Sequence, residues 1–245
     1  AAVLEELGRS LVPTPLLGTT LAELALLAAD QPDGDTLEQL ASGGLIGAVV
    51  FDRDYVINGD IADVVVAVQD ARLARWTDVT AVPEHSLDPT RRLARVTPGE
   101  STAIGSDPGL ADLAAILLAA EQIGAAAQCL ERTVDYTRQR IQFGRPIGSF
   151  QALKHRMADM YVAVQAARAV IGDAIDAPTP VSAAMARLAA SEAFCSVAGD
   201  AVQLHGGIAI TWEHDMQLYF KRAYSSAQLL GPPAEQVHRL ESEVF

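Results

Sequence analysis

Residues 136–151, YTRQRIQFGRPIGSFQ, carry the most specific pattern in the chain. They predict a helix bearing Arg138 and Arg140 that ends near Phe143, a short proline-containing loop, and a new helix beginning near Ser149. Ser149 is the N-cap candidate, because a serine hydroxyl accepts hydrogen bonds from the free amides of a first helical turn. Two arginines beside exposed amides can bind a phosphate or a carboxylate. In the alternative interpretation, they only complement the dipole at a helix C-terminus.

A second stretch, QLHGGIAITWEHD, follows about fifty residues later, at 203–215. Gly206 and Gly207 end a long predicted helix, and they would let a ligand or another backbone come close. A plain helix stop followed by a turn is the alternative. His205 is a candidate base, although a single histidine at a helix end is more often structural and no serine or cysteine pairs with it in sequence.

No other motif predicts a cofactor or metal site. The chain contains neither a GxGxxG pattern nor a P-loop. The run Trp212-Glu213-His214-Asp215 offers three metal-ligand types in a row, but neighbouring side chains on a helix diverge and rarely meet at one ion.

The apolar residues change their spacing along the chain, and this change predicts the fold class. Helical spacing in the N-terminal part gives way to short β-branched runs, among them GLIGAVVF and IADVVVAV, and then to helical spacing again. We predict a mostly helical α+β protein with an N-terminal helical segment at 1–43, a β-domain at 44–107 and a C-terminal antiparallel four-helix bundle at 108–245. The predicted helices lie at about 1–12, 19–30, 109–140, 150–176, 180–205, 213–230 and 233–243.

Composition narrows the classes of partner. The formal net charge of −13 over 245 residues disfavours nucleic acids and anionic membranes. Cys129 and Cys195 lie in apolar, helix-like stretches, so two buried free thiols are expected rather than a disulfide. The sequence shows no signal peptide and no run of 18 uncharged apolar residues, and we therefore expect a cytoplasmic protein without a membrane-spanning helix.

The two stretches together resemble the acyl-CoA dehydrogenase family. RQRIQFGRPIGSFQ is similar to that family's Arg-x-x-Phe-Gly helix and loop with its following Ile and Gln, and DAVQLHGGIAIT is similar to its Val-Gln-x-x-Gly-Gly segment. The family also has helices, a β-domain and a helical bundle in this order. The resemblance is strong over about 109–231, fair over 1–30 and weak over the β-domain.

The resemblance implies FAD as the cofactor. In the family, both motifs reach across a subunit interface to the neighbour's flavin and contact its adenosine-diphosphate part. Carried onto this sequence, the flavin-binding residues are Arg140, Gln142, Phe143 and Gln151 from the first motif, and Gln203 and Gly207 from the second. These residue types suit the task, since arginine supplies charge to a pyrophosphate, glutamine supplies directed hydrogen bonds and glycine permits close approach.

The resemblance also implies a reaction that needs a base. The family removes the α-proton of an acyl-CoA thioester and passes the β-hydride to the flavin, and a glutamate takes the proton. The family places this glutamate at one of two positions, which correspond here to Leu230 and to Ala114; the latter is followed by Ala115, where members often carry Arg. We therefore predict no catalytic residue in this chain.

Further departures point the same way. Pro232 and Ala234 stand where the family has the Thr and Gln that touch a subunit's own flavin, and the family's Trp-Ile-Thr strand has no counterpart in the β-domain. Residues serving a neighbour's flavin are thus present, and those serving the chain's own flavin and base are missing. This asymmetry is typical of the degenerate subunit of an α2β2 acyl-CoA dehydrogenase whose homologous partner supplies the glutamate. Such pairs serve actinobacterial steroid degradation, a branch of lipid metabolism.

Two alternatives stay open. In the first, the chain is a self-sufficient homo-oligomeric dehydrogenase with an atypical base, for which Glu121 and Glu131 are the candidates. In the second, it is a non-catalytic scaffold subunit that binds no flavin.

Overall fold

The structure is a computed structural model that describes residues 1–244, and side chains as far as residue 242. Its helices are α1 (Ala2–Arg9), α2 (Leu16–Leu27), α3 (Gly34–Ala41), α4 (Leu110–Gln139), α5 (Gln151–Asp176), α6 (Pro180–His205), α7 (Met216–Gln228) and α8 (Pro233–Val244). Its strands are β1 (Gly47–Val50), β2 (Val56–Ile57), β3 (Val64–Gln69), β4 (Arg72–Thr77), β5 (Thr80–Glu84), β6 (Leu93–Thr97), β7 (Glu100–Ser106), β8 (Ile141–Gln142) and β9 (Arg145–Pro146).

The chain forms two compact units. One contains Ala1–Val12 together with the chain from Ala115 onward, and the other contains Pro13–Ala114. The second unit therefore includes part of the N-terminal helical segment as well as the strands from β1 to β7. The predicted domain boundaries, after residues 43 and 107, therefore remain a prediction.

The unit of Pro13–Ala114 contains two small sheets. The first has the strand order β1-β3-β4-β7, with β1 and β3 parallel and the other pairs antiparallel, and the second has the order β2-β6-β5 and is antiparallel. Alternating valines and alanines in β1, β3 and β6 pack with Trp76 into one core. Asn58, followed by Gly59 in a pair typical of turns, has a φ of 56° directly after β2.

Helix α3 is absent from the predicted elements. The sequence around its start, PDGD at 32–35, is typical of a turn. The structure uses Asp33 as an N-cap instead: its Oδ1 accepts a hydrogen bond from the Thr36 amide at 3.2 Å, and α3 follows.

Helices α4 to α7 build the bundle around a core rich in alanine. Small side chains from α4 and α6, such as Ala119, Ala126, Ala190 and Ala198, are fully buried, and Phe194 and Met216 fill the space between them. A short connection joins α5 to α6. At the start of α6, Thr179 and Ser182 form a capping box around Pro180. The predicted mostly helical α+β fold is confirmed.

Burial explains the apolar character of the two longest helical segments. Leu110–Gln139 and Pro180–Ile210 are long and apolar enough to cross a membrane by length and composition alone, although neither contains a run of 18 uncharged apolar residues. Their apolar windows are 83% and 56% buried inside the protein, as core helices are. Both cysteines are free, as predicted; Cys129 is buried and Cys195 is half-buried. Burial raises the pKa of both thiols, which makes them poor nucleophiles.

Helices α1 and α4 touch through glycine. A Cβ on Gly8 would lie 2.0 Å from the Glu121 carbonyl oxygen, and a Cβ on Gly124 would lie 1.9 Å from the Glu5 carbonyl oxygen. Both obstacles are backbone atoms, so neither can swing away. Arg168 on α5 adds an ion pair to Glu5 at 2.7 Å.

We expect Gly124→Ala to lower stability by about 1–3 kcal/mol, because the new methyl group forces α1 away from α4. Gly199→Ala in α6 is the matched control, since a Cβ there meets nothing within 4 Å. The control should gain roughly 0.4–1 kcal/mol from the lower entropy of the unfolded chain. Thermal unfolding of both variants tests this, and equal melting temperatures would contradict the close helix contact.

Candidate functional site

The first stretch forms a tight hairpin rather than the predicted loop. Strands β8 and β9 pair antiparallel, with Gln142 opposite Arg145, and Phe143 and Gly144 form the turn with φ values of 51° and 77°. Two positive φ angles are typical of a type I′ turn, which glycine and asparagine favour and phenylalanine does not. Phe143 is 91% exposed. A bulky aromatic side chain held at positive φ in solvent points to a binding role, because stability alone would not select it.

The connection to α5 corrects the predicted N-cap. Ser149 lies in a 3₁₀ turn, and its hydroxyl donates to the Pro146 carbonyl at 2.7 Å. Helix α5 begins at Gln151 with Phe150 at the N-cap position and without a side-chain cap. The Arg145 guanidinium lies 4.0 Å from the centre of the Phe150 ring, and this contact orders the base of the hairpin.

The second stretch ends α6 as predicted. His205 is its last residue, Gly206 follows with a φ of 69°, and a 3₁₀ turn covers Gly206–Ile210. A Cβ on Gly206 or Gly207 would meet nothing within 4 Å, so this backbone faces open space. Gln203 is exposed on the last turn of the helix. A ligand can therefore reach both the backbone and the amide side chain.

Aromatic contacts bring the two stretches together. The Tyr136 hydroxyl donates to the His205 carbonyl at 3.2 Å, and the two rings stack with centroids 4.3 Å apart. The His214 ring meets His205 edge-on at 4.8 Å. Because Tyr136 lies one turn before Arg140, this contact places the end of α4 beside the end of α6. We call Tyr136, His205 and His214 the aromatic cluster.

His205 is structural rather than a surface base. It is buried, and burial lowers its pKa below the ordinary value. Its Nδ1 lies 2.8 Å from the Ala201 carbonyl oxygen and donates to it, which leaves Nε2 as the unprotonated nitrogen. Nε2 is buried and has no hydrogen-bond partner among the described residues.

The first stretch and the first two turns of α5 that follow it form a basic segment within an acidic chain. Five basic residues and no acidic residue lie between Tyr136 and Ala158, whereas the whole chain has a net charge of −13. Within residues 1–242, Arg140, Arg145 and Lys154 form no ion pair, so their charges are available to a ligand. Arg138 pairs with Asp135 at 3.4 Å and Arg156 with Asp200 at 3.6 Å. Phosphate groups are the natural ligands of such a surface.

The structure places all six predicted site residues on exposed positions of one unit. They are Arg140, Gln142, Phe143, Gln151, Gln203 and Gly207. The side chain of Gln151 contacts Nε2 of His155 at 3.2 Å, and Gln142 turns back to its neighbour's carbonyl. Arginine, amide and open glycine backbone thus lie at the end of the bundle where α4 and α6 meet.

The two positions that correspond to the family's glutamate hold the apolar residues Ala114 and Leu230. Ala114 is fully buried in α4. Leu230 lies between α7 and α8 with a φ of 58°, followed by Gly231 with a φ of 90°. The Gln236 side chain donates to the Leu230 carbonyl at 3.1 Å and holds this turn in place.

A buried arginine, which the sequence did not indicate, fixes the same turn. Arg187 on α6 is 1% exposed and donates to the carbonyls of Ser226 at 2.5 Å and Leu229 at 2.7 Å. It also donates to the Gln122 side chain at 2.9 Å and to the Ser191 hydroxyl. The guanidinium therefore closes the C-terminal end of α7, whose last carbonyls have no helical donors.

The two alternative bases are engaged in ion pairs. Glu121 is buried and lies 2.6 Å from Arg222, and Glu131 lies 2.5 Å from Arg9. Among the residues that the structure describes, no group of three or more metal-ligand side chains converges. His214 and Asp215 are occupied instead: His214 Nδ1 accepts from the Met216 amide, and Asp215 pairs with Arg132 at 2.8 Å.

Comparison with known proteins agrees with this architecture. Residues 110–240 match the family described as Acyl-CoA dehydrogenase, C-terminal domain. Acyl-CoA dehydrogenase IpdE2 of Mycobacterium tuberculosis is 66% identical over 245 residues, covering 100% of this chain and 77% of that protein. Acyl-CoA dehydrogenase IpdE2 of Mycolicibacterium smegmatis is 63% identical, covering 100% of this chain and 78% of that protein.

Two solved structures have the same fold. The ChsE4-ChsE5 complex from Mycobacterium tuberculosis matches with a TM-score of 0.86 and 26% identity, over 99% of this chain and 79% of that one. A glutaryl-coenzyme A dehydrogenase in complex with glutaryl-CoA matches with a TM-score of 0.87 and 20% identity, over 98% of this chain and 78% of that one. The matched C-terminal domain contains both motif stretches, and together with the closely similar relatives it shows that the chain belongs to the acyl-CoA dehydrogenase family.

Proposed function

We propose that the chain is the degenerate subunit of a heteromeric, FAD-dependent acyl-CoA dehydrogenase, and that a homologous partner supplies the catalytic glutamate. The observation that carries this proposal is the pairing of an exposed, basic, amide-rich end of the bundle with two base positions that hold Leu230 and Ala114. A chain built this way binds a nucleotide but removes no proton. The ChsE4-ChsE5 complex, whose fold this chain shares, gives a precedent for two unlike chains.

FAD suits the residues at this end of the bundle. The adenosine-diphosphate part carries two phosphate charges, and Arg140 with the basic surface around it provides the matching charge. Gln142, Gln151 and Gln203 offer amide donors and acceptors. Gly207 has no Cβ and faces open space, which leaves room for a phosphate or a ribose against the backbone. Phe143 offers an exposed ring for apolar contact.

The chain's own residues would bind and orient the cofactor at the subunit interface. When bound, FAD supplies a hydride acceptor for the β-carbon of the acyl thioester. Arg140 and the glutamines hold the nucleotide end, and the proton at the α-carbon goes to the partner's carboxylate. Pro232 and Ala234 offer no hydrogen-bond donor from their side chains to a flavin in this chain's own subunit.

The structural contacts favour this reading over the two alternatives. Glu121 pairs with Arg222 inside the bundle and Glu131 pairs with Arg9 on its surface, so both carboxylates already hold structural partners within this chain. A scaffold without flavin would not need an exposed phenylalanine at positive φ beside unpaired arginines. The heteromeric enzyme explains both features.

Steroid-derived acyl-CoA thioesters are the proposed substrate class. A structure described as a steroid ACAD, Tcur3481-Tcur3483, matches this chain with a TM-score of 0.86 at 26% identity, over 98% of this chain and 78% of that one. The acidic surface of the chain agrees with a cytoplasmic enzyme whose partners are neither nucleic acids nor membranes. Turnover of the assembled complex with steroid-derived and with straight-chain acyl-CoA tests this assignment.

We expect Arg140→Ala to weaken FAD binding by the assembled complex about 10- to 150-fold, which corresponds to the roughly 1.5–3 kcal/mol of a charge-assisted hydrogen bond. Arg138→Ala is the matched control, because Arg138 pairs with Asp135 on the same helix. Flavin content and FAD affinity of the purified complexes give the answer. Equal losses in both variants, or no loss in Arg140→Ala, would count against the flavin site.

A further inference from the structure

The aromatic cluster joins the two stretches that carry the predicted flavin-binding residues. The proposed reaction gives this cluster no role. We propose that Tyr136 and His205 are positioning residues: they fix the end of α4 against the end of α6, so that Arg140 and the Gly206-Gly207 backbone meet one flavin nucleotide together. This inference rests on the proposed function and adds to it the device that joins its two halves.

The Tyr136 contact is suited to this task. The His205 carbonyl belongs to the last turn of α6, where carbonyls lack helical donors, and the Tyr136 hydroxyl satisfies it at 3.2 Å. The rings stack at 4.3 Å with an interplanar angle of 23°. One residue thus contributes a hydrogen bond and a stacked ring to the same junction. The next turn of α4 leads directly to Arg140, whose amide bonds to the Tyr136 carbonyl at 2.9 Å.

The hairpin is tied to the same point. The Ile147 amide donates to the Arg140 carbonyl at 2.8 Å, which closes the hairpin of β8 and β9 onto the end of α4. A Cβ on Gly148 would lie 3.0 Å from the Thr137 carbonyl oxygen, so this segment packs directly on the last turns of the helix. Any movement of Tyr136 would therefore carry the hairpin and Arg140 with it.

The His205 ring is held in one neutral form. Its Nδ1 donates to the Ala201 carbonyl, while the buried Nε2 has no partner among the described residues. Of the titratable groups that face the ring, α4 contributes Tyr136 and the segment before α7 contributes His214. Arg132 and Asp215 pair with each other at 2.8 Å, and no described carboxylate pairs with His205. A proton on Nε2 would place an unbalanced charge inside the stack.

The pH dependence follows from this geometry. Burial lowers the pKa of His205 in the folded protein below its value of about 6.5 in an unfolded chain. The stability that the neutral His205 ring gives to the junction between α4 and α6 is therefore fully present above about pH 6.5. It is lost as the pH falls through the lower, folded-state pKa. FAD affinity should decline in the same acidic window.

The test measures FAD affinity of the flavin-depleted complex by fluorescence at pH 7.5 and at pH 5.5, together with hydrogen exchange at the Arg140 and Ile147 amides. Tyr136→Phe should weaken FAD binding by roughly 5-fold and speed exchange by a similar factor, since it removes one neutral hydrogen bond. Tyr161→Phe, on the exposed face of α5, should change neither quantity. Unchanged affinity and exchange in Tyr136→Phe would overturn the proposal.

Two histidine variants separate positioning from simple stability. His205→Asn keeps a donor for the Ala201 carbonyl but no longer titrates, so the loss of FAD affinity at pH 5.5 should disappear. His214→Asn keeps an acceptor for the Met216 amide and should retain that loss. A pH dependence that survives in His205→Asn would overturn the proposal. If the wild-type complex binds no FAD, the proposed function fails, and exchange in Tyr136→Phe still decides whether the junction exists.

Discussion

The purified chain alone is expected to show no acyl-CoA dehydrogenation, and activity is expected to appear only with a catalytic partner subunit, whose positioned base contributes about 10²–10⁴-fold to turnover. The α-proton of a thioester is weakly acidic even when its carbonyl is hydrogen-bonded, and neither Leu230 nor Ala114 can accept it. Glutamate-to-glutamine substitution in the partner should remove this gain while flavin stays bound.

The same experiment distinguishes the alternative bases. Glu131→Gln should keep most of the turnover, because Glu131 pairs with Arg9 at the surface. Glu121→Gln leaves Arg222 without its buried carboxylate partner, so turnover must be compared per assembled, flavin-loaded complex. If either variant abolishes turnover while the complex stays intact and flavin-loaded, the base lies in this chain and the degenerate-subunit account is wrong.

The second large effect concerns Arg187. We expect Arg187→Met to lower stability by about 3–5 kcal/mol, because it leaves the Leu229 carbonyl and the Gln122 side-chain oxygen buried without this donor and removes the charge-assisted bond to the Ser226 carbonyl, which keeps only the Leu229 amide. For a chain of this length, that loss corresponds to a drop in melting temperature of roughly 6–20 °C. Arg187→Lys should recover part of it, since an ammonium group keeps the charge but does not span all three acceptors.

Arg168→Met is the matched control. Arg168 forms a half-exposed ion pair with Glu5, and such pairs contribute only about 0–1 kcal/mol. Thermal unfolding of the assembled complex compares the three variants. A melting temperature of Arg187→Met equal to that of Arg168→Met would show that the buried network is not needed for the turn that contains Leu230.

The sequence predicted the long elements well because their apolar spacing reflects burial on one side. Helices α4, α5 and α6 follow the predicted ranges within about two residues, and the change to β-branched runs marked the strands of the second unit. Helix α3 was missed because PDGD is typical of a turn, although Asp33 uses its side chain as an N-cap. The Ser149 cap was wrong because the chain makes a 3₁₀ turn before α5.

The candidate site was predictable in composition but not in its geometry. Its residue types followed from two motifs, yet the hairpin of β8 and β9 has only two residues per strand and a phenylalanine at positive φ, which no propensity favours. Tyr136 and His205 are 69 residues apart in sequence, and nothing local indicates their contact. Arg187 stands in an alanine-rich helix, where a single cation gives no periodic signal. Most of its acceptors lie on α4 and at the end of α7, which are distant in sequence.

The most direct test of the account is the flavin content of the chain expressed alone and with its homologous partner. The central claim is that this chain contributes Arg140 and its neighbours to the partner's flavin and holds none of its own. Absorbance of the purified proteins should then show no FAD on the chain alone and one FAD for each pair of chains in the complex. FAD retained by the chain alone, or two FAD for each pair, would contradict the claim.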